Sequence, residues 1–127
     1  MKRSNIDAMI CKQEGITEIT RDEIHRMQLE KLNIVLKKEK EREGFYRDLP
    51  ERLESLTDLR SLPFTTETDL ARDGGRMLLC SQGEVQKVIS EQTSGTTGAG
   101  KRVFYTEGDC EHTIELFMAG NLFILEV

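Results

Sequence analysis

Apolar residues recur at helical spacing through the first third of the chain. Ile6, Met9 and Ile10 follow Ser4-Asn5-Ile6-Asp7, in which a Ser stands three residues before an Asp. That capping pattern predicts a short amphipathic helix ending at Gly15. Thr20-Arg21-Asp22-Glu23 opens a second helix: the Thr hydroxyl can cap the first turn, Glu23 can return the bond, and the acids sit at the positive end of the helix dipole. The helical pattern then continues to Glu43. Steps of about 100° per residue place Arg26, Glu30, Asn33, Lys37, Lys40 and Glu41 on a polar strip, with Ile24, Met27, Leu32, Ile34, Val35 and Leu36 around the broad remainder. Such a helix packs against a substantial surface. Lys37 to Glu43 reads as a solvated last turn with a Lys37–Glu41 pair, stopped by Gly44, and carries no binding role.

Beyond Gly44 the pattern shortens. Phe45-Tyr46 anchors the helix end to a core. Thr57-Asp58-Leu59 begins a turn of helix that must end before Pro63. Thr66-Glu67-Thr68-Asp69 is another capping pattern, and Asp73-Gly74-Gly75 predicts a turn. After a brief apolar run from Met77 to Cys80, Val85 to Ile89 and Arg102 to Thr106 are rich in β-branched and aromatic residues and read as strands. Thr106-Glu107-Gly108-Asp109 caps a last helix, with Cys110, Ile114, Phe117 and Met118 on one face, running at least to Ala119 and interrupted by Gly120-Asn121. The final Leu122 to Val127 is apolar and has no cap, which leads us to expect a truncated product or a piece of a longer protein, and favours self-association.

Composition narrows the function classes. The 127 residues carry a net charge of −5 without a basic block, which argues against a nucleic-acid partner. No apolar run has the length of a membrane span, and Met1-Lys2-Arg3 lacks the apolar core of a signal peptide, so a cytoplasmic location with no membrane partner is expected. Cys11, Cys80 and Cys110 are few and scattered, with only His25 and His112 to join them. Reduced thiols are expected rather than a zinc site.

Thr93-Ser94-Gly95-Thr96-Thr97-Gly98-Ala99-Gly100-Lys101 carries the candidate chemistry. Glycines let backbone N–H groups turn toward one anion, and hydroxyls and an ammonium add donors, so the natural guest is a polyphosphate. A plain turn between strands is the bland alternative. Gly95, Gly100 and Lys101 fit the nucleoside-triphosphate loop G-x-x-x-x-G-K-[ST] up to its last place, where Arg102 replaces the Mg²⁺-binding hydroxyl. That loop opens directly into a helix, whereas Val103 to Thr106 is strand-like.

The pattern T-S-G-T-T-G-x-x-K between two strands, followed by Tyr105-Thr106 and a helix start, resembles the phosphate-binding signature of the adenylate-forming acyl ligases, in particular the phenylacetate-CoA ligase branch. Leu62-Pro63-Phe64-Thr65-Thr66 with Asp69-Leu70 is similar to that branch's approach to the catalytic region, and Phe45-Tyr46-Arg47 to the end of its N-terminal helix. The ordered motifs span roughly Phe45 to Phe117. Gly100 stands where the signature usually has a proline, which loosens the loop without removing a contacting group.

The resemblance implies a two-step reaction: a small-molecule carboxylate attacks the α-phosphate of ATP with Mg²⁺, giving an acyl adenylate and releasing pyrophosphate, and a thiol, commonly that of coenzyme A, then takes the acyl group and releases AMP. Thr93, Ser94, Gly95, Thr96, Thr97, Gly98 and Lys101 would hold the β,γ-phosphates. The family's adenine pocket, acyl pocket, acidic residue near Mg²⁺ and C-terminal lid lie beyond this stretch, so no catalytic or metal-binding residue is assigned. The implied fold class is α/β: N-terminal helices over residues 1–44, then over 45–127 the first β-hairpin and helix of a larger, incomplete AMP-binding domain. Two other readings remain open: a small P-loop-type nucleotide hydrolase and a non-enzymatic helical interaction module that uses the Ile24, Met27 and Leu32 face.

Overall fold

The computed structural model describes residues 4–91 and 101–125. Helix α1 (Asn5–Glu14) is capped reciprocally, the Ser4 hydroxyl accepting from the Asp7 N–H at 3.1 Å and the Asp7 carboxylate from the Ser4 N–H at 3.2 Å. Gly15 ends it at φ 66, a left-handed conformation that glycine adopts without steric cost. Helix α2 (Arg21–Glu41) is capped by Thr20, whose hydroxyl accepts from the Glu23 N–H. Glu23 does not return that bond. Its carboxylate accepts two hydrogen bonds from the Arg26 guanidinium, a fork geometry that outcompetes a single backbone donor.

The inner side of α2 differs from the expected one. Leu36 and Glu39 are buried, whereas Ile34 and Val35 are about half exposed. Asn33, expected on the polar strip, faces inward: its amide donates to the Leu53 carbonyl at 3.0 Å and accepts from the Leu53 N–H at 2.8 Å. One side-chain amide thus satisfies both backbone groups of Leu53, itself buried, and holds the returning chain on α2. Lys37 and Glu41 lie within 3.9 Å as expected, but the turn they share also contains the buried Glu39.

The chain leaves α2 through Glu43, a non-glycine residue at φ 51, and Gly44 is the residue that makes the corner fit. A Cβ on Gly44 would lie 2.0 Å from Oε2 of Glu39. That oxygen accepts a hydrogen bond from the Tyr46 N–H at 3.1 Å, and the Phe45 N–H donates to the Arg76 carbonyl at 3.1 Å. Phe45 and Tyr46 meet edge to face with centroids 4.8 Å apart.

A 3-10 turn (Leu56–Ser61) ends before Pro63, and helix α3 (Glu67–Asp73) follows the Thr66 cap. Gly74 and Gly75 do not form an open turn; with Arg76 and Met77 they continue as 3-10 helix. Strands β1 (Val85–Glu91) and β2 (Lys101–Thr106) pair antiparallel as a two-stranded sheet, Val88 opposite Phe104 and Glu91 opposite Lys101, with a bulge between Val85 and Lys87. Helix α4 (Glu107–Leu125) passes through Gly120 and Asn121 without a break. A mid-helix glycine costs only about 1 kcal/mol, which the rest of a long helix can offset. The described chain is therefore mixed α/β, and no described helix is long and apolar enough to cross a membrane.

α4 packs against α1 and the hairpin, and Gln13 donates to Glu115 at 2.8 Å. The stripe of Ile114, Phe117 and Met118 on α4 is 61%, 71% and 55% exposed. Among the described residues no side chain is fully enclosed, and the buried apolar set is Cys11, Leu36 and Leu53. Gly44→Ala is expected to displace the Glu39 carboxylate and lower stability by about 1–3 kcal/mol, whereas Gly75→Ala, whose Cβ would meet nothing within 4 Å, is expected to stay within about 0.5 kcal/mol of wild type. Urea denaturation of the two variants measures the difference.

Candidate functional site

The residues proposed to hold phosphate divide at the edge of the described structure. Thr93, Ser94, Gly95, Thr96, Thr97 and Gly98 lie outside the described residues; Lys101 lies within them. What is defined is the base of the loop. Glu91 and Lys101 are opposite partners in the antiparallel ladder, so residues 92–100 connect two strand ends already paired. Lys101 opens a strand rather than a helix. A G-x-x-x-x-G-K loop places its lysine on a helix N-terminus, so this geometry departs from that of a nucleoside-triphosphate loop.

The three separated motifs are joined in space by side chains. The Tyr46 hydroxyl is hydrogen-bonded to the Thr65 hydroxyl, linking the Phe45-Tyr46-Arg47 and Leu62-to-Thr66 segments. Lys101 Nζ donates to Glu67 Oε1 at 2.6 Å, linking the start of α3 to the end of the glycine loop. Pro63 and Phe64, between these links, do not pack inward; Phe64 is 97% exposed.

An open cleft of about 490 Å³ lies between α3 with its 3-10 continuation and the hairpin. Leu70, Leu78, Val88 and Phe104 supply apolar walls, and Arg72 and Arg102 also line it. Arg72 is held by Asp69 and Asp73, at 3.4 and 2.7 Å. Arg102 makes no ion pair among the described residues.

Four carboxylates on or beside the elements that flank the cleft are each fixed by a donor. The Lys101 hydrogen bond, and then its charge, hold the Glu67 carboxyl below its ordinary range. Asp69 accepts from the Thr66 hydroxyl at 2.7 Å and from the Thr66 N–H at 2.9 Å, and these bonds lower its pKa. Asp109 accepts from the Thr106 N–H and hydroxyl, both at 2.8 Å, and is lowered by the backbone bond first and the hydroxyl second. Glu84 is lowered chiefly by the Ser81 hydroxyl, which donates to it at 2.6 Å. Among the described residues, no three His, Cys, Asp or Glu side chains gather as a metal site.

Sequence reasoning missed Glu67 and Glu39. Glu67 follows a capping threonine, where an acid ordinarily complements the helix dipole, and nothing local points to a lysine 34 residues later. Glu39 sits in a run of charged residues, and only its burial distinguishes it.

Comparison with protein-family models, with curated proteins and with solved structures finds no match to this chain.

The lowered carboxyls fix the sign of the pH dependence. Their stabilising bonds are fully formed above the unfolded values, at about pH 4, and are lost as pH falls through the lower folded values. Denaturation midpoints should therefore stay level from about pH 7 to 5 and decline below about pH 4. Lys101→Met should return the Glu67 titration, followed by carboxyl-carbon NMR, toward the ordinary glutamate range.

Proposed function

We propose that this chain is the N-terminal part of an ATP-dependent ligase that activates a small-molecule carboxylate as an acyl adenylate and passes the acyl group to a thiol. The observation that carries this reading is the spatial union of the three resembling motifs: Tyr46 reaches Thr65, and Lys101 reaches α3 directly after the same segment. Motifs that meet in this way can act as one unit, with the helix and hairpin setting the loop's base and Lys101 supplying its charge.

On this reading, Lys101 neutralises charge on the leaving pyrophosphate of ATP. The loop N–H and hydroxyl groups keep the phosphates in position, an electrostatic and orienting contribution. Mg²⁺, when bound, supplies further charge neutralisation on the phosphates; no described residue is assigned to it. The family's acyl and adenine pockets, its lid and coenzyme A site belong outside the motifs present. The small nucleotide hydrolase is the less favoured reading because Lys101 opens β2 instead of a helix.

Two measurements test the proposal. The 127 residues alone should bind pyrophosphate with a Kd on the order of 1 mM, and Lys101→Ala should abolish that binding, since the charge-assisted hydrogen bonds that the ammonium donates are removed. An unchanged affinity in the variant would overturn the assignment of the loop. Carboxylate-dependent exchange of pyrophosphate into ATP should remain at background with a panel of aliphatic and aromatic acids. Exchange above background would show a complete active site and sink the reading of the chain as one part of the enzyme.

A further inference from the structure

We propose that α4 of one copy of this chain docks its exposed acidic and apolar face into the groove beside α2 of a second copy, a contact that does not involve the glycine loop.

Helical spacing defines the inserting face. Met118 follows Ile114 by four residues, and Glu111 and Glu107 precede it by three and seven, so all four lie on one side of α4. Ile114 and Met118 are more than half exposed, and Glu107 and Glu111 are exposed with them. With Asp109 and Glu115, these glutamates make α4 strongly acidic, and the helix holds no lysine or arginine. Such a face is complementary to a surface that combines apolar side chains with cations.

α2 carries that surface. A groove of about 390 Å³ beside it is lined by Leu29 and Ile34 together with Arg26, Lys37 and Arg52, against a single carboxylate, Glu30. The Arg52 side of the groove is fixed, because the Asn33 amide holds the adjacent Leu53 through two hydrogen bonds. Arg26 is held by Glu23 and Glu30, at 2.9 and 3.1 Å, but the other two cations are loosely engaged. Lys37 lies 3.9 Å from Glu41 and Arg52 lies 3.6 Å from Glu54, both beyond hydrogen-bond reach, and both side chains are largely exposed. A carboxylate on an incoming helix can therefore accept hydrogen bonds that their own chain does not take. Within one chain α4 is seated on α1 and the hairpin, and the groove stays open. A second copy brings the apolar face and the acids together, in a helix-in-groove arrangement that covers Ile114 and Met118 with Leu29 and Ile34. The two surfaces differ, so the contact is heterologous: each copy offers one face and one groove.

Sedimentation velocity of the full 127-residue chain, from about 1 to 100 µM, tests this. The wild type should associate as concentration rises, and sodium chloride raised from about 0.05 to 0.5 M should weaken association several-fold by screening. Ile114→Asp removes the face and Ile34→Asp the groove; each alone should weaken association by about tenfold or more. Mixed in equal amounts they should form a 1:1 complex and nothing larger, since one intact face then meets one intact groove. Both sites are half exposed or more, and circular dichroism checks the helix content. Should an aspartate variant lose it, Ile114→Ser and Ile34→Ser serve in its place.

A wild type that stays monomeric throughout would overturn the proposal. Association untouched by either substitution would do so as well, by placing the contact elsewhere. A mixture that stays monomeric would replace it with a like-to-like contact, and association that strengthens with salt would remove the role of the charges.

Discussion

The corner between α2 and the rest of the chain depends on one buried carboxylate. Glu39 is 3% exposed, and its Oε2 receives the Tyr46 N–H directly after the corner. A buried carboxylate is tolerated only where donors replace its lost water, and here the backbone itself supplies one. Gly44 is required because any side chain would occupy the space of that oxygen. Because the corner is fixed, Phe45 can donate to Arg76 and Tyr46 can reach Thr65, which brings the segments before and after α3 to the end of α2. The cleft and the base of the glycine loop are built on those segments.

From that base, two kinds of contact position the loop lysine. The strand ladder sets Lys101 opposite Glu91, and the side-chain bond to Glu67 draws it toward α3. The first is a backbone constraint and is insensitive to side-chain identity. The second is an exposed ion pair, weak enough to be exchanged for another anion.

The apolar stripe on α4 shows what helical periodicity leaves open. Ile114, Phe117 and Met118 share a face, as their spacing indicates, but all three remain more than half exposed. Periodicity reports that a helix has an apolar side; it does not report whether the rest of the chain covers it. The same distinction explains α2, where Ile34 and Val35 are exposed while Asn33 is spent on Leu53.

The sequence by itself determined the local elements. Capping pairs such as Ser4–Asp7, Thr66–Asp69 and Thr106–Asp109 act over three residues, so their helix starts are legible without a fold. The β-branched runs likewise mark the two strands, and the loop between them marks the candidate chemistry. Only the tertiary structure decided which charges pair at a distance. Glu39 and Glu67 look like ordinary surface acids in the chain, yet one is buried at a corner and the other holds the loop lysine. The physical reason is range: caps and turns depend on neighbours a few residues away, whereas burial and long-range ion pairing depend on which segments the completed fold brings together.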